Sequence, residues 1–277
     1  MKGDGSLIWR EYKERIVYPS IYWHTPSYAE MDYILNTRTN ASNLRTLGRV
    51  DINGKGTYVN GCFLLPDDWV LLAGVTMTIT TANYTTNSYS LTDFGKLESN
   101  GAVFFPVSGY RVDLTVNSLN DGNYFVAKGK TRFFFTSSNL TIGSLDVNYR
   151  GMSVRLCHPS SQPYSFSTSA TSSIKFANGN VQYHCTQHKW RFAEHQYDYI
   201  GANNANLSDS YNGWIDLFGY GTSGVNYSPT LHTTNNADYA SGYITNTDND
   251  WGINEIIEND TLGMSEGIIT AKEFKEI

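Results

Sequence analysis

Trp190-Arg191-Phe192-Ala193-Glu194-His195-Gln196-Tyr197-Asp198-Tyr199-Ile200-Gly201, followed by Gly213-Trp214-Ile215-Asp216-Leu217-Phe218-Gly219-Tyr220-Gly221-Thr222-Ser223-Gly224, carries the pattern on which the fold reading rests. The first block opens as a strand. The glycines of 219–224 lack the lysine and the strand-to-helix order of a phosphate cradle, so they read as a tight turn packing Trp214 and Phe218. Just upstream, residues 174–183 hold two strand-like runs around Asn178-Gly179, a hairpin signal. Met152, Val154 and Leu156 alternate with Ser153, Arg155 and Cys157, as in a half-buried strand. Further out, Gly61-Cys62-Phe63-Leu64-Leu65-Pro66 is an apolar strand stopped by proline, Ala102-Val103-Phe104-Phe105 is another, and residues 131–136 are aromatic-rich. Helices are scarce. Ser27-Tyr28-Ala29-Glu30 is a capping box followed by Met31, Ile34 and Leu35 at helical spacing. Thr270-Ala271-Lys272-Glu273 is a second box before Phe274 and Ile277, and residues 252–258 form a weaker stretch. Long polar loops at 76–90, 202–212 and 227–249 separate the strands.

Composition narrows the function classes. Asn, Ser and Thr make up 79 of the 277 residues, aromatics 14 % and charged residues 17 %. Scarce Lys and Glu beside abundant Tyr, Asn, Ser and Gly mark a loop-rich recognition surface, the bias also found in antibody paratopes. A net charge of −6 without a basic run argues against nucleic acid as a partner. No apolar run approaches the ~18 residues a membrane helix requires, so no membrane insertion is expected. Met1-Lys2-Gly3-Asp4-Gly5-Ser6 is polar and Leu7-Ile8-Trp9 is too short for a signal-peptide core. The chain is therefore expected to be cytoplasmic when made, to reach the outside without classical secretion, or to be shortened. Cys62, Cys157 and Cys185 show no C-x-x-C spacing and read as buried small hydrophobes.

The two opening blocks, with Val181-Gln182-Tyr183, Asp250-Trp251-Gly252-Ile253-Asn254, Phe63-Leu64-Leu65-Pro66-Asp67-Asp68-Trp69, Gly101-Ala102-Val103-Phe104-Phe105-Pro106 and Tyr149-Arg150-Gly151-Met152-Ser153-Val154-Arg155-Leu156, resemble a large family of surface domains from gut bacteria. That family is similar to the bacterial C-type-lectin fold, in the branch shared with formylglycine-generating enzyme and the variable proteins of diversity-generating retroelements. The resemblance covers most of residues 25–277. It implies an α+β fold of short twisted antiparallel strands, two short helices and long loops. The block order departs from the family: the family's C-terminal half, at 25–158, precedes its N-terminal half, at 165–277. The arrangement resembles a circular permutation closed by a linker at 159–164, behind an N-terminal extension at 1–24. In a rival reading each half completes one supplied by another chain, giving a homo-oligomer such as a trimer through exchanged elements.

Candidate chemistry is weighed on the same residues. The family's enzymatic relative holds copper with a close cysteine pair, whereas Cys157 has no partner a few residues away. Asp67 and Asp68 precede Trp69 in a turn and read as caps of backbone N–H groups rather than a catalytic pair. His184, Cys185, His188 and His195 fit no standard zinc spacing; in an extended strand His184 and His188 would share a face. Asp248-Asn249-Asp250 and Asn235-Asn236-Ala237-Asp238 are candidate calcium loops, with solvated turns as the plainer reading. No catalytic residue, metal ligand or cofactor is assigned.

The resemblance implies an exposed face within residues 117–150. In a strand, Phe133 and Phe135 point one way and Arg132, Phe134 and Thr136 the other. The first pair is expected in the core. Asn123, Tyr124, Arg132, Phe134, Thr136, Asn139, Asn148 and Tyr149 are expected to form a ligand-binding face, aromatic surface edged by polar groups that suits a cell-surface glycan or protein. Trp69, Trp190, Trp214 and Trp251 are expected in the core. The expected function is non-enzymatic ligand binding on a virion surface or cell surface: a receptor-binding protein of a gut phage, a bacterial adhesin fragment, or a purely structural decoration or fibre subunit.

Overall fold

The computed structural model describes residues 23–126, 131–144, 150–219 and 230. These residues are mostly β-sheet with two short helices. The first helix, α1 (Tyr28–Asp32), starts where the sequence places it. The Ser27 hydroxyl accepts from Glu30 N at 3.2 Å, and the Glu30 carboxylate accepts from Ser27 N at 2.7 Å. It runs into a π-helical turn, Tyr33–Thr37, and buries Met31, Ile34 and Leu35. The second helix, α2 (Leu91–Ser99), is capped by Ser90 and buries Phe94 and Leu97. Two buried positions around an exposed Gly95 leave too short an apolar repeat for the sequence to announce it. The helices expected at 252–258 and after Thr270 lie outside the described residues.

The strands are short. In chain order they are β1 (Arg45–Asp51), β2 (Tyr58–Leu64), β3 (Ser88–Ser90), β4 (Val103–Pro106), β5 (Tyr110–Val112) and β6 (Thr115–Asn117). Next come β7 (Gly122–Val126), β8 (Thr131–Thr136), β9 (Asn139–Ser144), β10 (Gly151–Met152), β11 (Cys157–Pro159) and β12 (Phe166–Ser167). The last are β13 (Ser173–Phe176), β14 (Val181–His184), β15 (Lys189–Phe192), β16 (Trp214–Ile215) and β17 (Phe218–Gly219). They form sheets in the orders β3-β1-β2-β4, β17-β10-β5-β6, β11-β13-β12, β15-β14-β16 and β7-β8-β9. Pairing is antiparallel except between β1 and β3. A parallel bridge, Tyr124↔Ser153, joins the β7 meander to the segment after β10. Gly61 permits the close approach of β2 and β4: a Cβ there would stand 2.3 Å from the Phe104 ring and 2.4 Å from Phe105 O.

The Asn178-Gly179 hairpin does not form. β13 pairs with β11 and β12, whereas β14 pairs with β15 and β16. Ala177 N donates to Leu156 O and Val181 N to Val154 O, both at 2.9 Å, so the 154–156 backbone takes the hydrogen bonds a hairpin would need. The Asn-Gly pair instead carries the chain from one sheet to the next.

Residues on either side of the 159–164 segment share the same cores. Met31, Leu47, Phe105, Tyr124, Phe133 and Phe135 pack in one cluster with Phe166, Ile174 and Phe176. Trp23, Met152, Val154 and Leu156 pack in a second with Val181, Tyr183, Trp190 and Phe218. A third, around Phe63, Phe94 and Phe104, lies against α2. The 1–24 boundary needs correcting: Trp23 is 1 % exposed, edge-on to Phe192, and so belongs to the body. Of the expected core tryptophans, Trp190 is buried, Trp69 and Trp214 are half-buried, and Trp251 lies outside the described residues.

Polar side chains fasten this interleaving, buried at Arg155 and Gln196 and exposed at Asp67 and Asp68. Arg155 donates to Asn180 Oδ1 at 2.9 Å, to Ala177 O and Phe104 O at 3.0 Å, and to Gln196 O at 3.4 Å. Gln196 in turn accepts from Phe104 N at 2.5 Å. Asp67 accepts from Ser167 N at 2.9 Å and from Arg38 at 2.8 Å, and Asp68 accepts from Tyr164 N at 3.1 Å. The aspartate pair thus holds the chain around the 159–164 segment, in line with the backbone-capping role read from sequence.

Candidate functional site

The β7–β8–β9 meander separates its two faces by the period-2 rule. Register sets Tyr124 opposite Phe133, Phe133 opposite Ile142 and Phe135 opposite Leu140. All five of these side chains are buried in the first core. The intervening positions face the other way: Asn123 opposite Phe134, Phe134 opposite Thr141, and Thr136 opposite Asn139. Arg132, Phe134 and Thr136 are half-buried there, and Asn139 and Thr141 are exposed.

The Arg132 guanidinium lies over the Phe134 ring, 4.1 Å from its centroid, and Nη1 donates to Asn123 Oδ1. Burial pushes the nearby Asp121 carboxyl up, against the Ser118 hydrogen bond and the Arg132 charge that pull it down. A second stack of the same kind, Arg150 over Tyr110 at 4.3 Å, stands where β5 leaves the paired region with β10. Both stacks hold a planar cation against an aromatic face, which fixes the direction of its N–H donors.

Two of the expected display residues are corrected. Tyr124 is 1 % exposed and is a core residue: its hydroxyl donates to Pro106 O at 2.7 Å and accepts from Asn180 at 3.2 Å, and burial raises its pKa. The reason is register, since Tyr124 shares the inward side with Phe133. Asn123 is on the outward side but fully buried, with the Arg132 guanidinium donating to its Oδ1. It reaches the face only by positioning Arg132. Asn148 and Tyr149 lie outside the described residues. The structure therefore brings Arg132, Phe134, Thr136 and Asn139 onto one surface, with Asn123 beneath.

Other groups singled out by sequence fall elsewhere. His184 and His188 do not share a strand face, since β14 ends at His184 and the chain turns before β15. His188 Nδ1 pairs with the Tyr183 hydroxyl at 2.7 Å, and Cys185 is buried. Among the described residues no group of His, Cys, Asp and Glu is arranged to hold a metal ion. The candidate calcium loops lie outside them. No helix among the described residues is long and apolar enough to cross a membrane.

Two arrangements were not legible in the sequence. Arg191 crosses β14 to lie 3.8 Å from the Trp214 ring centre, while its Nε donates to Gln182 at 2.8 Å. His24, Glu30 and Cys157 meet across more than a hundred residues. Neither pattern has a local spacing that would reveal it. Comparison with family models, curated proteins and solved structures returns no match.

Proposed function

We propose that this chain is a non-enzymatic ligand-binding domain of the C-type-lectin-like type, in circularly permuted order, that recognises a cell-surface glycan or protein as part of a phage virion protein. The fold reading is supported by the ordered motif blocks and by cores that residues before 159 and after 164 build together. The binding reading is carried by one observation: the outward side of β7–β8–β9 presents Phe134 stacked under Arg132 and flanked by Thr136, Asn139 and Thr141. An aromatic face gives apolar contact to a sugar ring or side chain, and the polar edge fixes its orientation. Asn123 holds the guanidinium in place before any ligand arrives, which lowers the ordering cost of binding.

The test is binding of the full chain to a glycan array and to intact gut bacterial cells, repeated with Phe134→Ala and Arg132→Ala. Loss of at least about tenfold in affinity, equal to ~1.4 kcal/mol, is expected for both variants, each still folded and melting cooperatively. Binding by both variants equal to that of the parent chain would place the ligand site on another surface and overturn this reading.

A further inference from the structure

Cys157 Sγ lies 3.3 Å from His24 Nε2, and the same nitrogen lies 3.4 Å from Glu30 Oε1. Backbone holds each member separately. His24 and Cys157 form an antiparallel bridge with two N–H···O bonds of 2.8 Å. Glu30 is fixed as the third residue of α1, its other carboxylate oxygen bound to Ser27 N. Cys157 opens β11, opposite Phe176 of β13. Thiol, imidazole and carboxylate are thus placed by the fold rather than by one another, which is the condition for preorganised chemistry.

The chain's three thiols differ in their surroundings. All three are buried. Cys62 has a hydrogen bond to Phe63 O at 3.6 Å, and burial pushes its thiol up despite the charge of Arg45. Burial pushes Cys185 up to about 11. Among the described residues, Cys157 is the thiol with an imidazole within hydrogen-bond distance. Burial alone would lower the pKa of His24, but Cys157 and Glu30 outweigh it and raise the ring to about 11. Glu30 is held low by His24 and Ser27 against its own burial. Among the described residues, the titratable groups next to this cluster include His158 and, opposite it on β13, Lys175; burial keeps His158 low, with Lys175 and His24 acting in the same direction.

We propose that Cys157 is a nucleophilic modification site that reacts with hydroperoxides and other small electrophiles, with His24 as its proton partner and Glu30 orienting the ring. In the peroxide step the Cys157 thiolate attacks one peroxide oxygen. An S–O bond forms and the O–O bond breaks. The departing hydroxide takes the imidazolium proton of His24 and leaves as water. Sulfur is oxidised to the sulfenic acid, the peroxide is reduced, and neutral His24 remains. Cys157 is fully buried, and its partners His24 and Glu30 are 15 % and 24 % exposed, which restricts the site to small reagents.

The same sulfur lies 3.4 Å from His24 O, an acceptor for a neutral thiol, so the experiment must tell a thiolate from a thiol. The folded full chain is treated with hydrogen peroxide for timed intervals, catalase ends each exposure, and the chain is then unfolded in dimedone, so that the label reaches any sulfenic acid already formed, and mapped by peptide mass spectrometry. Dimedone is expected on Cys157 at a rate at least about tenfold above Cys62 and Cys185, and nearly constant from pH 6 to pH 8. His24→Gln is expected to cut the rate at Cys157 by about tenfold or more. A rate at Cys157 no faster than at Cys62 overturns the proposal. So does a rate that climbs about tenfold per pH unit, as a neutral thiol requires. The pH profile uses the parent chain alone, so it decides the matter even if His24→Gln fails to fold.

Discussion

Arg155 donates through Nε to the side-chain oxygen of Asn180 at 2.9 Å, joining the strand segment after β10 to the loop before β14. The guanidinium is 1 % exposed, and four acceptors converge on it: Asn180 Oδ1, Ala177 O, Phe104 O and Gln196 O. Burial lowers its pKa to about 10 while the Tyr124 and Glu98 side chains oppose the fall, so it stays charged at neutral pH. Truncation would strand several buried acceptors at once. Arg155→Ala is therefore expected to cost about 3–5 kcal/mol. Urea denaturation of the variant checks this; a loss below ~1 kcal/mol would show that water replaces the guanidinium freely.

The two faces of β8 should separate by stability. Phe133→Ala and Phe135→Ala remove fully buried rings and are expected to cost about 3–5 kcal/mol each. Phe134→Ala removes a half-buried ring whose contact is the Arg132 guanidinium, so about 1 kcal/mol or less is expected. Thermal melts of the three variants give the comparison. Equal losses at positions 133 and 134 would mean the strand is turned over or covered.

Trp190 and Trp214 make a second such pair. Trp190 is fully buried beside Tyr183 and Phe218, with ring centres at 4.7 and 5.5 Å. Trp214 sits on the other side of the β14 sheet, stacked under Arg191 and edge-on to His184 at 4.9 Å. Trp190→Ala is expected to abolish or nearly abolish folding, with a cost of about 3–5 kcal/mol. Trp214→Ala is expected to fold, with a cost nearer ~1 kcal/mol. Soluble yield and far-ultraviolet circular dichroism distinguish them.

Asp216 should make the protein less stable as pH rises through mild acidity. It is fully buried, and burial raises its pKa to about 6 even though Asn204 and Ile200 N donate to it and oppose the rise. Its folded pKa lies above the unfolded value, so between about pH 4 and pH 6 the native state holds more protons than the unfolded chain. Stability from this group is full below the unfolded pKa and declines as pH rises through the folded pKa. The shift corresponds to about 3 kcal/mol. A carbon-13 carboxyl titration should place the Asp216 midpoint near pH 6; a midpoint in the ordinary aspartate range would refute the prediction.

Legibility followed the range of the interaction. The α1 capping box was plain because both of its hydrogen bonds span three residues. The inward turn of Phe133 and Phe135 was plain because strand alternation needs no partner. The sequence points Tyr124 outward, but its direction depends on the register of β7 against β8, and register is set by the whole sheet. At Asn178-Gly179 the local turn signal loses to the 154–156 backbone, a competitor more than twenty residues away. The apolar look of its block points Trp214 into the core, and one strand position decides that it faces Arg191 instead.

The amino-acid sequence by itself determined short strands, few helices, a composition rich in aromatics and small polar residues, and an alternating segment at 131–136 with a built-in inner and outer side. These are properties of composition and of spacings within a few residues, where backbone geometry alone dictates direction. Tertiary structure alone decided which distant groups meet. It buried Asn123 under Arg132, drew four acceptors onto Arg155, and set Cys157 against His24 and Glu30. Such contacts arise when separate segments are packed together to bury apolar surface, and local spacing carries no record of which polar groups that packing will bring into reach.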